Sequence, residues 1–78
     1  MPMPKIIKME HIHIGSLIRC ELRKQNRSNR WLSEQLSLNP RTINKIFLKR
    51  DIDTNQLYRI SKVLKTDFFS YYSQALQL

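Results

Sequence analysis

The sequence predicts a compact all-α domain of five short helices, and three observations support this fold class. Apolar residues recur every three or four positions along most of the 78-residue chain, as they do on the buried face of a helix. Residues typical of helix N-caps stand ahead of several of these stretches. The chain contains a single glycine, which disfavours a fold rich in hairpins. A chain of this length is sufficient for one small domain.

Residues 1–12 are predicted to form an N-terminal arm, and residues 13–78 the folded domain. Pro2 and Pro4 disfavour a helix at the start of the chain. Histidine and isoleucine then alternate with the period of a strand, so the arm is expected to be flexible or a short strand.

The second and third predicted helices form a helix-turn-helix. Ser28 stands at the N-cap of the second helix, and Asn39 at that of the third, with Pro40 at the first helical position. Only a three- or four-residue turn fits between them, so the helices must cross steeply and need a small side chain where they touch, which Ser33 supplies. The predicted buried stripes are Trp31, Leu32 and Leu36, then Ile43, Ile46 and Phe47.

Three further helices flank this pair. A first helix is expected from about Gly15 to Asn26, and its inward face comprises Ile14, Leu17, Ile18 and Leu22. Asp53 followed by Gln56 resembles a capping box and predicts the start of a fourth helix. Residues 65–67 are expected to close that helix and to cap a fifth. The core stripe of the fourth helix comprises Leu57, Ile60, Val63 and Leu64.

Basic residues outnumber acidic ones by 14 to 6, which gives a formal net charge of +8 and a pI near 10.2. This charge favours a polyanionic partner, although a solvated basic surface would also keep a small protein soluble. The exposed face of the third helix carries side-chain types that reach base edges and phosphates in a major groove, where Arg favours guanine and Asn favours adenine. Its residues are Arg41, Thr42, Asn44 and Lys45.

The arrangement resembles the lambda-repressor-like helix-turn-helix domain, also called the Xre type, over about Ile14–Leu76. The positions that match the family's buried and turn residues are Leu32, Ser33, Leu38, Ile43 and Ile46. Residues 57–64 and 67–69 look like the family's closing helices. The family's common turn glycine is Ser37 in this chain, and a serine there requires a left-handed backbone or an altered turn.

The resemblance implies a five-helix lambda-repressor-like domain whose third helix, about Pro40–Leu48, enters the major groove of double-stranded DNA. Arg41 and Asn44 are the expected base contacts, whereas Thr42 is equally well explained as a filler of the helix surface. The residues expected at base edges are Pro40, Arg41, Thr42, Asn44 and Lys45, of which Lys45 is also explained by phosphate contact. The residues expected at phosphates are Asn29, Arg30, Lys49 and Arg50.

The expected function is that of a sequence-specific DNA-binding transcriptional regulator, acting as a repressor and as a homodimer. One recognition helix reads only a few base pairs, so this family places two subunits about 34 Å apart on a near-palindrome. The apolar fifth helix is the expected dimer contact, with core packing as the alternative. Its residues are Phe68, Tyr71, Tyr72, Leu76 and Leu78.

Other functions are weighed against this one. An antitoxin-like protein would hold a partner protein through its arm or its aromatic C-terminus and use DNA binding for autoregulation. RNA binding is less well supported, because only Trp31 offers an aromatic surface for stacking bases. Enzymatic activity is not expected, since no glycine-rich phosphate loop and no nucleophile in a recognisable catalytic setting occur.

No cofactor or metal is expected either, because His11, His13 and Cys20 are too few for a structural zinc site. A single cysteine cannot form an intrachain disulfide, which suits a reducing compartment. No apolar run approaches the roughly 18 residues of a membrane span, and the first residues lack the apolar segment of a secretory signal. A cytoplasmic location without membrane contact is therefore expected.

Overall fold

The computed structural model describes residues 12–77, and these residues fold into five α-helices without a β-strand. The helices are α1 (Ile14–Lys24), α2 (Asn29–Leu36), α3 (Pro40–Leu48), α4 (Thr54–Leu64) and α5 (Phe69–Leu76). The predicted all-helical fold class is confirmed. None of these helices is long and apolar enough to cross a membrane. The predicted arm lies outside the described residues except for Ile12, which is buried and therefore belongs to the folded domain.

The core lies between α1, α2, α3 and α4, and the start of α5 closes it. Each of the first four helices contributes the apolar stripe that its sequence predicts, although Leu17, Trp31 and Val63 are only half-buried. Burial of each such side chain contributes about 1.5–3 kcal/mol to the hydrophobic stabilisation of the fold. The fully buried large side chains are Ile14, Ile18, Leu22, Leu32, Leu36, Ile43, Ile46, Ile60, Leu64 and Phe68.

Helix α1 begins one residue before and ends two residues before the predicted bounds. It begins at Ile14 because the Nδ1 atom of His13 accepts a hydrogen bond from the backbone N–H of Ser16 at 3.2 Å and so caps the helix. It ends before Asn26, whose φ of 58° lies in the left-handed region. Asparagine tolerates that conformation better than most residues, so the chain turns there.

The caps and the turn of the central helix pair agree with the sequence. Ser28 and Asn39 accept hydrogen bonds from the backbone N–H groups of Trp31 and Arg41. The turn spans residues 37–39, and Ser37 adopts the left-handed conformation with φ of 55°. Ser33 is buried and its hydroxyl donates to the carbonyl oxygen of Arg30 at 2.7 Å, so a small side chain lies at this position as expected.

The start of α4 agrees with the sequence and the start of α5 does not. Asp53 caps α4 by accepting a hydrogen bond from the backbone N–H of Gln56 at 2.7 Å. The prediction that residues 65–67 cap the fifth helix is wrong, because its N-cap is Phe68, which makes no side-chain cap. Burial of the Phe68 ring places that residue at the helix start, and Asp67 uses its carbonyl oxygen to accept from the Ser70 hydroxyl.

Candidate nucleic-acid interface

Helix α3 is two-sided, and its exposed side carries most of the residues predicted to reach DNA bases. Its caps and its buried residues, Ile43, Ile46 and Phe47, fix which side faces solvent. Arg41, Asn44 and Lys45 are exposed, and so is Pro40 at the start of the helix. Thr42 is half-buried, which fits its interpretation as a filler of the helix surface.

The first residue of α2 is hydrogen-bonded to the exposed face of α3. The side-chain Nδ2 of Asn29 donates to Oδ1 of Asn44 at 2.9 Å, across 15 positions of sequence. Asn29 is predicted from the sequence at a phosphate and Asn44 at a base, and the structure brings these two side chains together. A polar surface therefore runs from the N-terminus of α2 onto α3.

A third side chain extends this contact onto α1. The Nη2 atom of Arg23 donates to Oδ1 of Asn29 at 2.8 Å, and its Nη1 atom donates to the carbonyl oxygen of Arg27 at 3.4 Å. Arg23 is not among the residues that the sequence predicted at bases or phosphates. The six-residue separation of Arg23 from Asn29 spans the α1–α2 connection, so no helical period predicts their contact.

The basic residues at the far end of α3 are held by their backbone. The carbonyl oxygen of Lys49 accepts from the N–H of Gly15 at 2.9 Å, and that of Arg50 accepts from the N–H of Ile14 at 3.0 Å. These bonds satisfy two N–H groups at the start of α1 and fix the path of the chain after α3. Both basic residues are exposed at the surface. They follow the C-terminal end of α3, whereas Asn29 contacts Asn44 near the middle of that helix.

Two further arginines near α2, Arg30 and Arg27, each contact a side chain of that helix. Arg30 is exposed and lies 3.9 Å from a carboxylate oxygen of Glu34, an ion pair too solvated to add much stability. The guanidinium of Arg27 covers the ring of Trp31, 4.4 Å from its centroid. Trp31 is half-buried as well. Its ring is therefore engaged within the protein, which weakens the case for RNA stacking.

An open groove of about 550 Å³ lies between α1 and the end of α3. The guanidinium-bearing residues Arg19 and Arg23 line its α1 side, while Phe47 and Leu48 line its α3 side. Positive charge thus continues from α1 towards the surface formed by Asn29 and Asn44. His13 and Cys20 also line the groove, whereas His11 lies outside the described residues.

Comparisons with protein-family models, with curated proteins and with solved structures find no match to this chain.

Proposed function

We propose that this chain is a sequence-specific DNA-binding transcriptional regulator that places α3 in the major groove. The observation that carries the proposal is the hydrogen bond between Asn29 and Asn44, because it joins the start of α2 to the exposed face of α3. A phosphate contact at the start of α2 and base contacts on α3 then belong to one surface. The net charge of +8 supplies the electrostatic attraction that binding to a polyanion needs.

The dimensions of α3 support major-groove entry. The major groove is about 12 Å wide and admits one α-helix, whose diameter with side chains is about 10–12 Å. Arg41 and Asn44 are the proposed base contacts on this helix. Phosphate contacts from Asn29, which lies beside the middle of α3, and from Lys49, just beyond its end, would fix its position along the groove.

The proposed arrangement is that of the lambda-repressor-like fold, with two chains on a near-palindromic site and repression as the outcome. A single α3 reads only a few base pairs, so a second copy supplies the remaining specificity. Helix α5 remains the proposed dimer contact, but Phe68 is excluded because it is fully buried within one chain. Leu76 is 79% exposed, and Tyr71 and Tyr72 are half-buried. Leu78 lies outside the described residues.

A second candidate function is that of an antitoxin-like protein, and one feature of the fold favours it. An open groove between the α3–α4 connection and α5 has apolar walls. Ile52, Leu57, Phe69 and Tyr72 contribute those walls. Such a groove suits an apolar segment of a partner protein, with DNA binding kept for autoregulation.

The proposal is tested by selecting bound sequences from a random duplex pool with the 78-residue chain, at about physiological salt, where non-specific binding is weak. We expect an enriched near-palindrome with half-sites one helical turn apart. A variant with Arg41→Ala and Asn44→Ala should lose the enrichment while keeping its helical circular-dichroism spectrum. Lys62→Ala, on α4, also removes a positive charge but should keep the enrichment. Failure of the native chain to enrich any sequence would overturn DNA reading and favour the partner-binding function.

A further inference from the structure

Arg23, Asn29 and Asn44 form a hydrogen-bonded network, called here the three-residue network. Arg23 fixes which atoms donate and which accept along it. Guanidinium groups carry only donors, so the atom of Asn29 that faces Arg23 at 2.8 Å must be the oxygen Oδ1. The remaining atom of that amide, Nδ2, carries only donors and faces Asn44 at 2.9 Å. The atom of Asn44 that receives this bond must therefore be its oxygen.

This chemistry removes the usual ambiguity of asparagine side chains. An isolated asparagine amide can be turned over with little change in shape, so its orientation depends on the surrounding hydrogen bonds. In the three-residue network a flip of either amide would set two donors or two acceptors against each other. The charge of Arg23 makes the first bond a charge-assisted one, which strengthens the constraint.

We propose that Arg23 is a positioning residue that sets the base preference of Asn44 by holding its carbonyl oxygen towards Asn29. This inference rests on the proposed function. Asn44 is exposed, and with its oxygen engaged it presents the N–H donors of Nδ2 to a ligand. Guanine offers two acceptors in the major groove, N7 and O6, whereas adenine offers N7 beside an amino donor. The network therefore changes the expected preference of Asn44 from adenine to guanine.

A simple charge contact at Arg23 would have different consequences. A guanidinium that only approaches a phosphate strengthens binding to all sequences alike and steepens the salt dependence by about one unit of slope. A positioning residue changes the ratio of affinities between two bases. The two roles are therefore distinguished by the ratio of the affinities for two sites that differ in one base. Neither loss of charge nor modest loss of stability alters this ratio.

The binding test uses the enriched site and a version in which the guanine facing Asn44 is replaced by adenine. We expect the native chain to prefer guanine about tenfold. Arg23→Met removes the donors but keeps most of the unbranched apolar stem, and it should reduce that preference below about threefold. The matched control is Arg19→Met, which removes a charge from the same exposed face of α1 one turn earlier and should leave the ratio unchanged. An unchanged ratio in Arg23→Met, or a native preference for adenine, would overturn the inference.

A second measurement examines the network without DNA. The side-chain amide signals of Asn44 in the nuclear magnetic resonance spectrum of the free chain should shift in Arg23→Met, although Arg23 bonds to Asn29 and not to Asn44 itself. They should shift in Asn29→Ala and stay in place in Arg19→Met. Unshifted Asn44 signals in Arg23→Met would show that no network exists. If the native chain enriches no sequence, the proposed function fails and the base preference fails with it. If it enriches a site that accepts guanine and adenine equally, only the proposed role of Arg23 is overturned.

Discussion

Gly15 lies so close to the end of α3 that a Cβ atom on it would meet the carbonyl oxygen of Lys49 at 2.6 Å. The carbonyl oxygens of Ile46 and Phe47 would be in similarly close contact with that Cβ. The absent side chain allows the backbone N–H of Gly15 to donate to Lys49. A glycine within a helix normally costs stability, so this one is explained by the close approach of two backbones.

We predict that Gly15→Ala destabilises the fold, against the usual effect of this substitution in a helix. Alanine favours a helix by about 1 kcal/mol over glycine, but here its methyl group must displace three backbone carbonyls. Overpacking of this kind costs about 1–3 kcal/mol beyond that gain, and the midpoint of thermal unfolding should fall by about 10 °C. Gln35→Ala, at an exposed position of α2, should leave the midpoint nearly unchanged. A midpoint that rises in Gly15→Ala would contradict the packing described.

We predict that Ser37→Gly stabilises the fold. Ser37 ends α2 in the left-handed conformation, with φ of 55°, which costs a residue with a Cβ atom about 1 kcal/mol relative to glycine. The free energy of unfolding in urea should rise by about 0.5–1 kcal/mol. The opposite control is Gln35→Gly, two residues earlier within α2, which should lower it by a similar amount. Equal losses in both variants would mean that the turn does not hold Ser37 in this conformation.

The sequence predicted those parts of the fold whose causes are local. Ser28 and Asn39 act on N–H groups two or three residues away, and the sequence predicted both caps. Burial of Phe68 depends on the packing of the whole core, and the predicted cap of α5 failed for that reason. Arg23 reaches Asn29 across a connection between helices, a contact that no period along the chain encodes. Exposure of Arg41, Asn44 and Lys45 followed from the helical period, whereas the hydrogen bond from Asn29 to Asn44 required the fold.

We predict that Tyr72 makes the stability of the fold fall more steeply at alkaline pH. Burial raises the pKa of its phenol above the ordinary value near 10, the charge of Asp51 raises it further, and Arg50 opposes the shift. The folded chain thus holds this proton more tightly than the unfolded chain. The resulting stability is present in full below the ordinary pKa and is lost as the pH rises through the pKa of the folded state.

The measurement is the urea midpoint between about pH 9 and pH 11. The native midpoint should decline more than that of Tyr72→Phe, which has no proton to lose. Tyr58→Phe removes the hydroxyl of an exposed tyrosine and should decline as the native chain does. If Tyr72→Phe declined as steeply as the native chain, the phenol would not contribute to the pH dependence.

We predict that Arg41 reads a base. Its exposed side chain lies in the first turn of α3, where a guanidinium can donate to N7 and O6 of guanine together. Arg41→Ala should cost about 1–3 kcal/mol of binding free energy on the selected site and relax the preference at one position. Titrations of the selected site and of its single-base variants give this comparison. Equal losses on every sequence would make Arg41 a phosphate contact.

We predict that Lys49, beyond the end of α3, contacts a phosphate. Its backbone is fixed by the bond from Gly15 while its side chain is exposed, so the ammonium group reaches outward from a rigid position. An ammonium that neutralises one phosphate releases about one counterion, so Lys49→Ala should weaken all sequences alike and lower the slope of log affinity against log salt by about one. Lys62→Ala, an equal loss of charge on α4, should leave the slope as it is. An unchanged slope in Lys49→Ala would place this residue outside the interface and leave Asn29, beside the middle of α3, to fix the helix on the DNA backbone.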